Sequence, residues 1–246
     1  MARHSHWAQI KLKKGATDKK RGKIFSKHAR LIEVSARSGG GDPNMNAALR
    51  LAMENARADN MPKENIERAI KKGTGELKEG EQMQEVTYEG YGPGGIALVI
   101  DALTDNKNRT NQTIRMILQK HGGHLGSTGA TSFLFELKGV LQVQGNESDE
   151  LEIIDAGAED IEKDNDVIFV YTKPNELGLV KKKLEEKGFK IISAQLEKMA
   201  KNSIKITDPK IIEKIETFLE ALDEEDDVVN VAVNYSVSSL SSGSSG

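Results

Sequence analysis

Between residues 140 and 197 the hydrophobic pattern changes period element by element, and the order it spells admits few folds. The spacing predicts strand 140–144, helix 147–156, strand 159–163, strand 166–172, helix 174–187 and strand 189–197. That is βαββαβ, the ferredoxin-like order. Strand-like segments 84–89, 95–103 and 131–137, with a helix at 108–121, precede it. A strand at 203–207, a helix at 209–222 and a strand at 228–235 follow it. The flanks complete one α/β unit, so the βαββαβ block reads as an insertion.

Before residue 80 the period is helical. One stripe of the first helix (19–37) runs Ile24, His28, Leu31, Ser35 and a second runs Phe25, Ala29, Ile32, Ala36. Gly39-Gly40-Gly41 stops it. Asp42-Pro43 opens a second helix burying Met45, Leu49, Ala52, Met53 and Ala56, and Pro62 opens a third burying Ile66, Ala69 and Ile70. The fold class is therefore α+β: a three-helix domain (1–80), a discontinuous α/β domain (81–138 and 200–237) and an inserted ferredoxin-like domain (139–199). The Ser/Gly-rich residues 238–246 read as a disordered tail.

Charge divides along the same boundary. Residues 1–75 hold 17 Lys/Arg against 7 Asp/Glu, while residues 76–246 hold 18 against 31. A basic head on an acidic body points to polyanion binding, because Lys and Arg that displace counterions supply affinity for phosphate backbones. Lys11, Lys13, Lys14, Lys19, Lys20, Arg21, Lys23, Lys27, Arg30 and Arg37 form the cluster, with Asp18 and Glu33 as local compensation. Lys20, Lys23, Lys27 and Arg30 share one helix face. Such lysines act as point charges that position a protein on phosphate without reading bases.

The absence of cysteine excludes disulfides, thiolate nucleophiles and Cys-ligated zinc. No stretch has the length of a membrane span, and no secretory signal is visible, so a cytoplasmic protein is expected. No Ser/His/Asp arrangement is legible, and the expectation is no catalytic residues, no cofactor and no metal. His4 with His6, and His121 with His124, lack the third ligand that a zinc site requires.

Seven segments stand out: Met1-Ala-Arg-His-Ser-His-Trp7, Lys20-Arg21-Gly22-Lys23-Ile24-Phe25, Gly40-Gly-Asp-Pro43, the 60–75 stretch from Asn60-Met-Pro to Gly-Thr-Gly75, Tyr91-Gly-Pro-Gly-Gly95, Ala102-Leu-Thr-Asp-Asn106 and Gly122-Gly-His-Leu-Gly126. Together they resemble the YebC family, which includes the mitochondrial translational activator of cytochrome oxidase. Arg3 and His6 depart from the Gly and Lys of the family's opening motif. The resemblance implies three domains and a transcriptional regulator that binds DNA. A ribosome- or RNA-associated translational activator is the alternative, and an enzyme acting on nucleic acid ranks third. The expected partner is nucleic acid, either DNA or ribosomal RNA, with no membrane and a monomeric chain.

Three further features carry two readings each. Trp7 could stack on a base or anchor the arm to the body, and the anchor is preferred. Lys107 and Arg109 lie at a strand-to-helix junction, where main-chain amides favour an anion, although helix capping explains the same residues. Phe169 and Tyr171 alternate on one face of a middle strand, as stacking aromatics of RNA-binding sheets do, but are assigned to the core against the helices. The acidic run 223–227 reads as a solvated turn.

Overall fold

The computed structural model describes residues 18–77 and 83–237, with the side chains of residues 18–20 and 147 outside the description. The Ser/Gly-rich tail, 238–246, lies outside the described residues. Three helices come first: α1 (Asp18–Gly39), α2 (Ala47–Ala58) and α3 (Lys63–Gly73). Ile32 and Ala36 of α1 bury against Leu49, Met53, Ala56, Met61, Ile66 and Ala69. The α1–α3 crossing is close enough that a Cβ on Gly73 would stand 2.3 Å from the carbonyl oxygen of Glu33. The second helix starts later than the Asp42-Pro43 signal suggests. Asn46 caps it, accepting from the Leu49 amide while its own amide group donates to the carbonyls of Ser35 and Gly40. This one side chain closes both helix ends, which leaves Met45 in solvent at 83% exposure.

The discontinuous α/β unit holds β1 (Gln84–Tyr91), β2 (Ala97–Thr104), α4 (Lys107–Lys120) and β3 (His124–Leu125), and later β8 (Ile204–Ile206), α7 (Pro209–Asp223), β9 (Val228–Val233) and β10 (Tyr235–Val237). Its antiparallel sheet runs β3-β1-β2-β9. The helices α4 and α7 cover one face, where Leu98 and Ile100 of the sheet meet Ile114, Phe218 and Leu222. The last strand does not run unbroken from 228 to 235. Asn234 interrupts it: its side-chain oxygen accepts from the Ala97 amide and its carbonyl accepts from the Ile204 amide. Beyond it the chain leaves β2 and pairs in parallel with β8.

The insertion comprises β4 (Phe135–Gln144), α5 (Glu150–Asp155), β5 (Asp160–Asp164), β6 (Val167–Thr172), α6 (Leu177–Glu186) and β7 (Lys190–Ala200). The sheet order is β5-β6-β4-β7, all antiparallel, as a ferredoxin-like unit requires. Two expected strands, 131–137 and 140–144, are instead one ten-residue strand. β4 and β7 pair from Phe135↔Ala200 to Gln144↔Lys190, with one register shift after Gln142. The root of this ribbon packs Phe135 and Ala200 on Ala97, Val99 and Ala232, the uncovered face of the first sheet. The insertion is thus joined by paired strands rather than by two single linkers.

Candidate nucleic-acid interface

Three members of the cationic stripe of α1, Lys23, Lys27 and Arg30, are turned onto the protein itself. Lys23 Nζ donates to the Glu224 carbonyl at 2.6 Å, and Lys27 Nζ donates to the Asp223 carbonyl at 2.9 Å and its Oδ1 at 2.6 Å. Arg30 Nη2 lies 3.2 Å from Asp227 Oδ1. Residues 23, 27 and 30 project from one face because they are four and then three apart. The acidic run 223–227, expected as a solvated turn, is the receptor for that face. Backbone explains the placement: α7 ends at Asp223, and its last carbonyls, unpaired within the helix, carry the negative end of the helix dipole.

Asp227 is the hub. It is buried at 3% exposure. Its Oδ2 accepts from Thr110 at 2.6 Å, from Thr104 at 3.1 Å and from Arg109 at 3.1 Å. Burial pushes this carboxyl up, but the Thr110 hydroxyl, the Arg109 guanidinium, the Thr104 hydroxyl and the Arg30 charge outweigh it and hold it below the usual range. The anion favoured at the start of α4 is therefore the protein's own. Asn106 caps the same helix, accepting from the Arg109 amide at 3.1 Å. Arg109 also pairs with Asp105 at 2.7 Å, and Lys107 is exposed beside it, its carbonyl accepting from Tyr88.

Arg37 is spent structurally. It pairs with buried Glu33 at 2.7 Å and donates to the Met83 carbonyl, while Lys72 reaches the other Glu33 oxygen at 3.2 Å. Arg21 is exposed on the first turns of α1. Lys19 and Lys20 lie on α1 with side chains outside the description, and Trp7, Lys11, Lys13 and Lys14 lie outside the described residues. Of the expected contacts, then, Lys23, Lys27, Arg30 and Arg109 are brought together around Asp223 and Asp227, two acids that the charge pattern alone did not nominate. The available signal was an acidic run, 223–227, in a chain with a basic helix face that needed compensation.

The histidines of the α/β unit serve packing. His124 stacks on Tyr91 with centroids 5.3 Å apart, and His121 tilts against Phe218 at 5.8 Å. Among the described residues no group of three His, Asp or Glu side chains gathers for a metal, and no helix is long and apolar enough to cross a membrane. Phe169 and Tyr171 correct an expectation. The helices α5 and α6 pack on Ile168 and Val170, whereas Phe169 and Tyr171 occupy the opposite face with Val140 and Met199.

Comparisons with known proteins agree with this architecture. Residues 5–76 match the TACO1/YebC protein N-terminal domain, and residues 83–235 match the TACO1/YebC second and third domain. A protein of Thermotoga maritima named "Probable transcriptional regulatory protein" is 51% identical over 240 residues, covering 96% of this chain and 94% of its own. One of the same name from Aquifex aeolicus is 49% identical, covering 96% of both. The crystal structure of a conserved hypothetical protein from Aquifex aeolicus superposes with a TM-score of 0.89 at 48% identity, covering 95% of this chain and 98% of that one. Matched in all three domains and along nearly its whole length, the chain belongs to the TACO1/YebC family.

Proposed function

We propose that this protein is a non-enzymatic regulator of gene expression that binds nucleic acid through its basic N-terminal domain. The observation that carries the reading is the charge division: residues 1–75 hold 17 Lys/Arg against 7 Asp/Glu, with ten of those cations between Lys11 and Arg37. Three of the ten, Lys23, Lys27 and Arg30, each hold a carboxylate or carbonyl oxygen at 2.6–3.2 Å along one helix face. In this conformation those three cations are occupied, and a phosphate would have to displace the 223–227 oxygens to reach them. The first contacts therefore fall to Lys11, Lys13, Lys14, Lys19, Lys20 and Arg21, with Lys23, Lys27 and Arg30 setting the pose of the helix that carries Lys19, Lys20 and Arg21. Exposed Lys107 supplies a second contact, which Arg109 joins only by giving up Asp105 and Asp227.

The names of the relatives support a role in transcription, for which duplex DNA is the proposed target. A specific feature favours the ribosome as the second reading. The basic helix is docked on a body with 18 Lys/Arg against 31 Asp/Glu, which repels a wrapped duplex and suits a site that also presents basic proteins. Co-sedimentation with ribosomes, with excess duplex DNA as competitor, separates the two. Pelleting that resists DNA identifies a translation factor. Pelleting abolished by DNA, with retention of the DNA by the protein, identifies the transcriptional regulator. Failure to bind either nucleic acid overturns the reading.

A further inference from the structure

Helix α4 breaks with the charge of the body that holds it. Residues 76–246 carry 31 Asp/Glu against 18 Lys/Arg, yet α4 has Lys107, Arg109, Arg115 and Lys120 and no acid. Its inner side is accounted for: Ile114 and Leu118 are buried in the core, and the Thr110 hydroxyl meets Asp227. Its outer side is a stripe of Asn108, Gln112, Arg115 and Gln119, four, three and four residues apart and all exposed. A solvated helix of the same chain is built differently. In α6, Lys181 pairs with Glu185 and Lys182 with Glu186, one turn apart. Arg115 and Lys120 have no acid in their own helix to pair with, and Asn108 and Asn111 are weak helix formers within it.

The side chains of this stripe are those that address the edges of nucleobases. An Asn or Gln amide sets a donor beside an acceptor, and Arg presents a fork of donors. Asn and Gln pair bidentately with N6 and N7 of adenine, and Arg with O6 and N7 of guanine. From Asn108 to Gln119 the stripe runs about 16 Å, room for about four stacked nucleotides. Met116, exposed on the same helix, offers a base an apolar contact. At the end of the stripe, between α4 and α7, lies a cleft of about 460 Å³ lined by Lys120, His121, Gly122, Glu213, Lys214 and Thr217. Lys120 and Lys214 outnumber Glu213 there and suit a backbone phosphate.

One carboxylate fixes α4 relative to the basic helix. Asp227 Oδ1 lies 3.2 Å from Arg30 of α1, and its Oδ2 accepts from Thr110 at 2.6 Å and Arg109 at 3.1 Å on α4. Both helices are therefore seated on the same 223–227 loop. We propose that the exposed stripe of α4 reads bases, and that its target is adenine-rich single-stranded RNA. The inference rests on the proposed nucleic-acid binding and divides its labour: the basic head supplies affinity, and α4 supplies selectivity. Geometry selects a single strand. His121 at the end of α4 lies against Phe218 of α7, so the two helices sit side by side. Such a pair is about 20 Å across, whereas the major groove of B-DNA is about 12 Å wide and admits one helix. Unpaired bases, which RNA displays in loops and ends, bring their edges to a surface of this kind.

The test uses the full chain and labelled single-stranded oligo-A, oligo-C and oligo-U RNA, with affinities read by fluorescence anisotropy at stepped salt. The unaltered protein is expected to prefer oligo-A by about tenfold, the discrimination of one good bidentate pair. Asn108→Ala, Gln112→Ala and Gln119→Ala together should bring that ratio close to one. They should leave the salt slope unchanged, because no charge is removed. All three positions are exposed and Ala is the stronger helix former, so α4 keeps its fold. Equal affinity of the unaltered protein for the three RNAs overturns the inference. So does a preference that survives the triple variant, and so does duplex DNA that competes better than oligo-A. The proposed function fails separately: it is lost if no nucleic acid binds at all, whereas binding without base preference removes only the role of α4.

Discussion

Asn55 grips Ala194 with both ends of its amide: Nδ2 donates to the Ala194 carbonyl at 2.8 Å, and Oδ1 accepts from the Ala194 amide at 3.3 Å. β7 is an edge strand, and its outward main-chain groups need partners. A helix of the first domain supplies one, and Lys181 with Glu54 adds an ion pair between the same two bodies. Asn55→Ala should cost about 1–2 kcal/mol by leaving the two backbone groups without their partner. Hydrogen exchange should locate the loss at the Ala194 amide, with the β4–β7 pairing itself unchanged. Equal protection in the variant would show that water replaces the amide at no cost.

Asp227 should be the most sensitive single acid in the molecule. Replacing it with Ala leaves Arg30 facing an emptied site, and breaking a buried pair in this way costs about 3 kcal/mol. Arg109→Ala should cost clearly less than Arg30→Ala, because Arg109 is 53% exposed against 18% for Arg30 and water screens its pairing. Thermal melts of the three variants give the ranking. Hydrogen exchange should show α1 loosening from the 223–227 loop in Asp227→Ala first.

Much of this architecture was legible in the sequence because period carries it. The βαββαβ order of the insertion follows from hydrophobic spacing alone, and so does the apolar side of α1. What escaped is tertiary. Phe169 and Tyr171 alternate with Ile168 and Val170, and alternation says that two faces exist without saying which one receives the helices. Asn234 ends a strand by bonding Ala97, far away in sequence, and no local propensity marks that break. The α1 stripe was visible as charge, but its partner loop lies some two hundred residues downstream. A run of carboxylates reads as solvated until the fold places cations against it.

Glu89 ties the loop after β3 to the first sheet. It is 7% exposed, and its carboxylate accepts from the amides of Gly129, Thr131 and Ser132, each at 2.7 Å. Burial pushes the carboxyl up, and the bonds from Thr131, Gly129 and Ser132 outweigh it, bringing the value down to about 2. A folded-state value below the unfolded one means that the contribution is complete above the ordinary carboxylate range and is lost as pH falls from about 4.3 toward 2. Glu89→Gln should remove about 2 kcal/mol at neutral pH. It should also flatten the acid limb of the stability curve in that window, as read by denaturant unfolding at stepped pH.

Nucleic-acid binding should divide the basic residues into two classes. Each phosphate neutralised contributes about −0.9 to the slope of log affinity against log salt for duplex DNA, and about −0.7 for a single strand. If the arm makes the contacts, Lys11→Gln, Lys13→Gln and Lys14→Gln together should flatten that slope by about 2–3. Lys23→Gln and Lys27→Gln should instead lower the thermal stability of the α1 docking and leave the slope nearly unchanged, because their charges are spent on Asp223 and Glu224. The opposite pattern, with the slope governed by Lys23 and Lys27, would mean that nucleic acid displaces the 223–227 loop. Asp223→Asn would then raise the affinity by removing the competing carboxylate, so a titration of that variant distinguishes a helix held for binding from a helix freed by it.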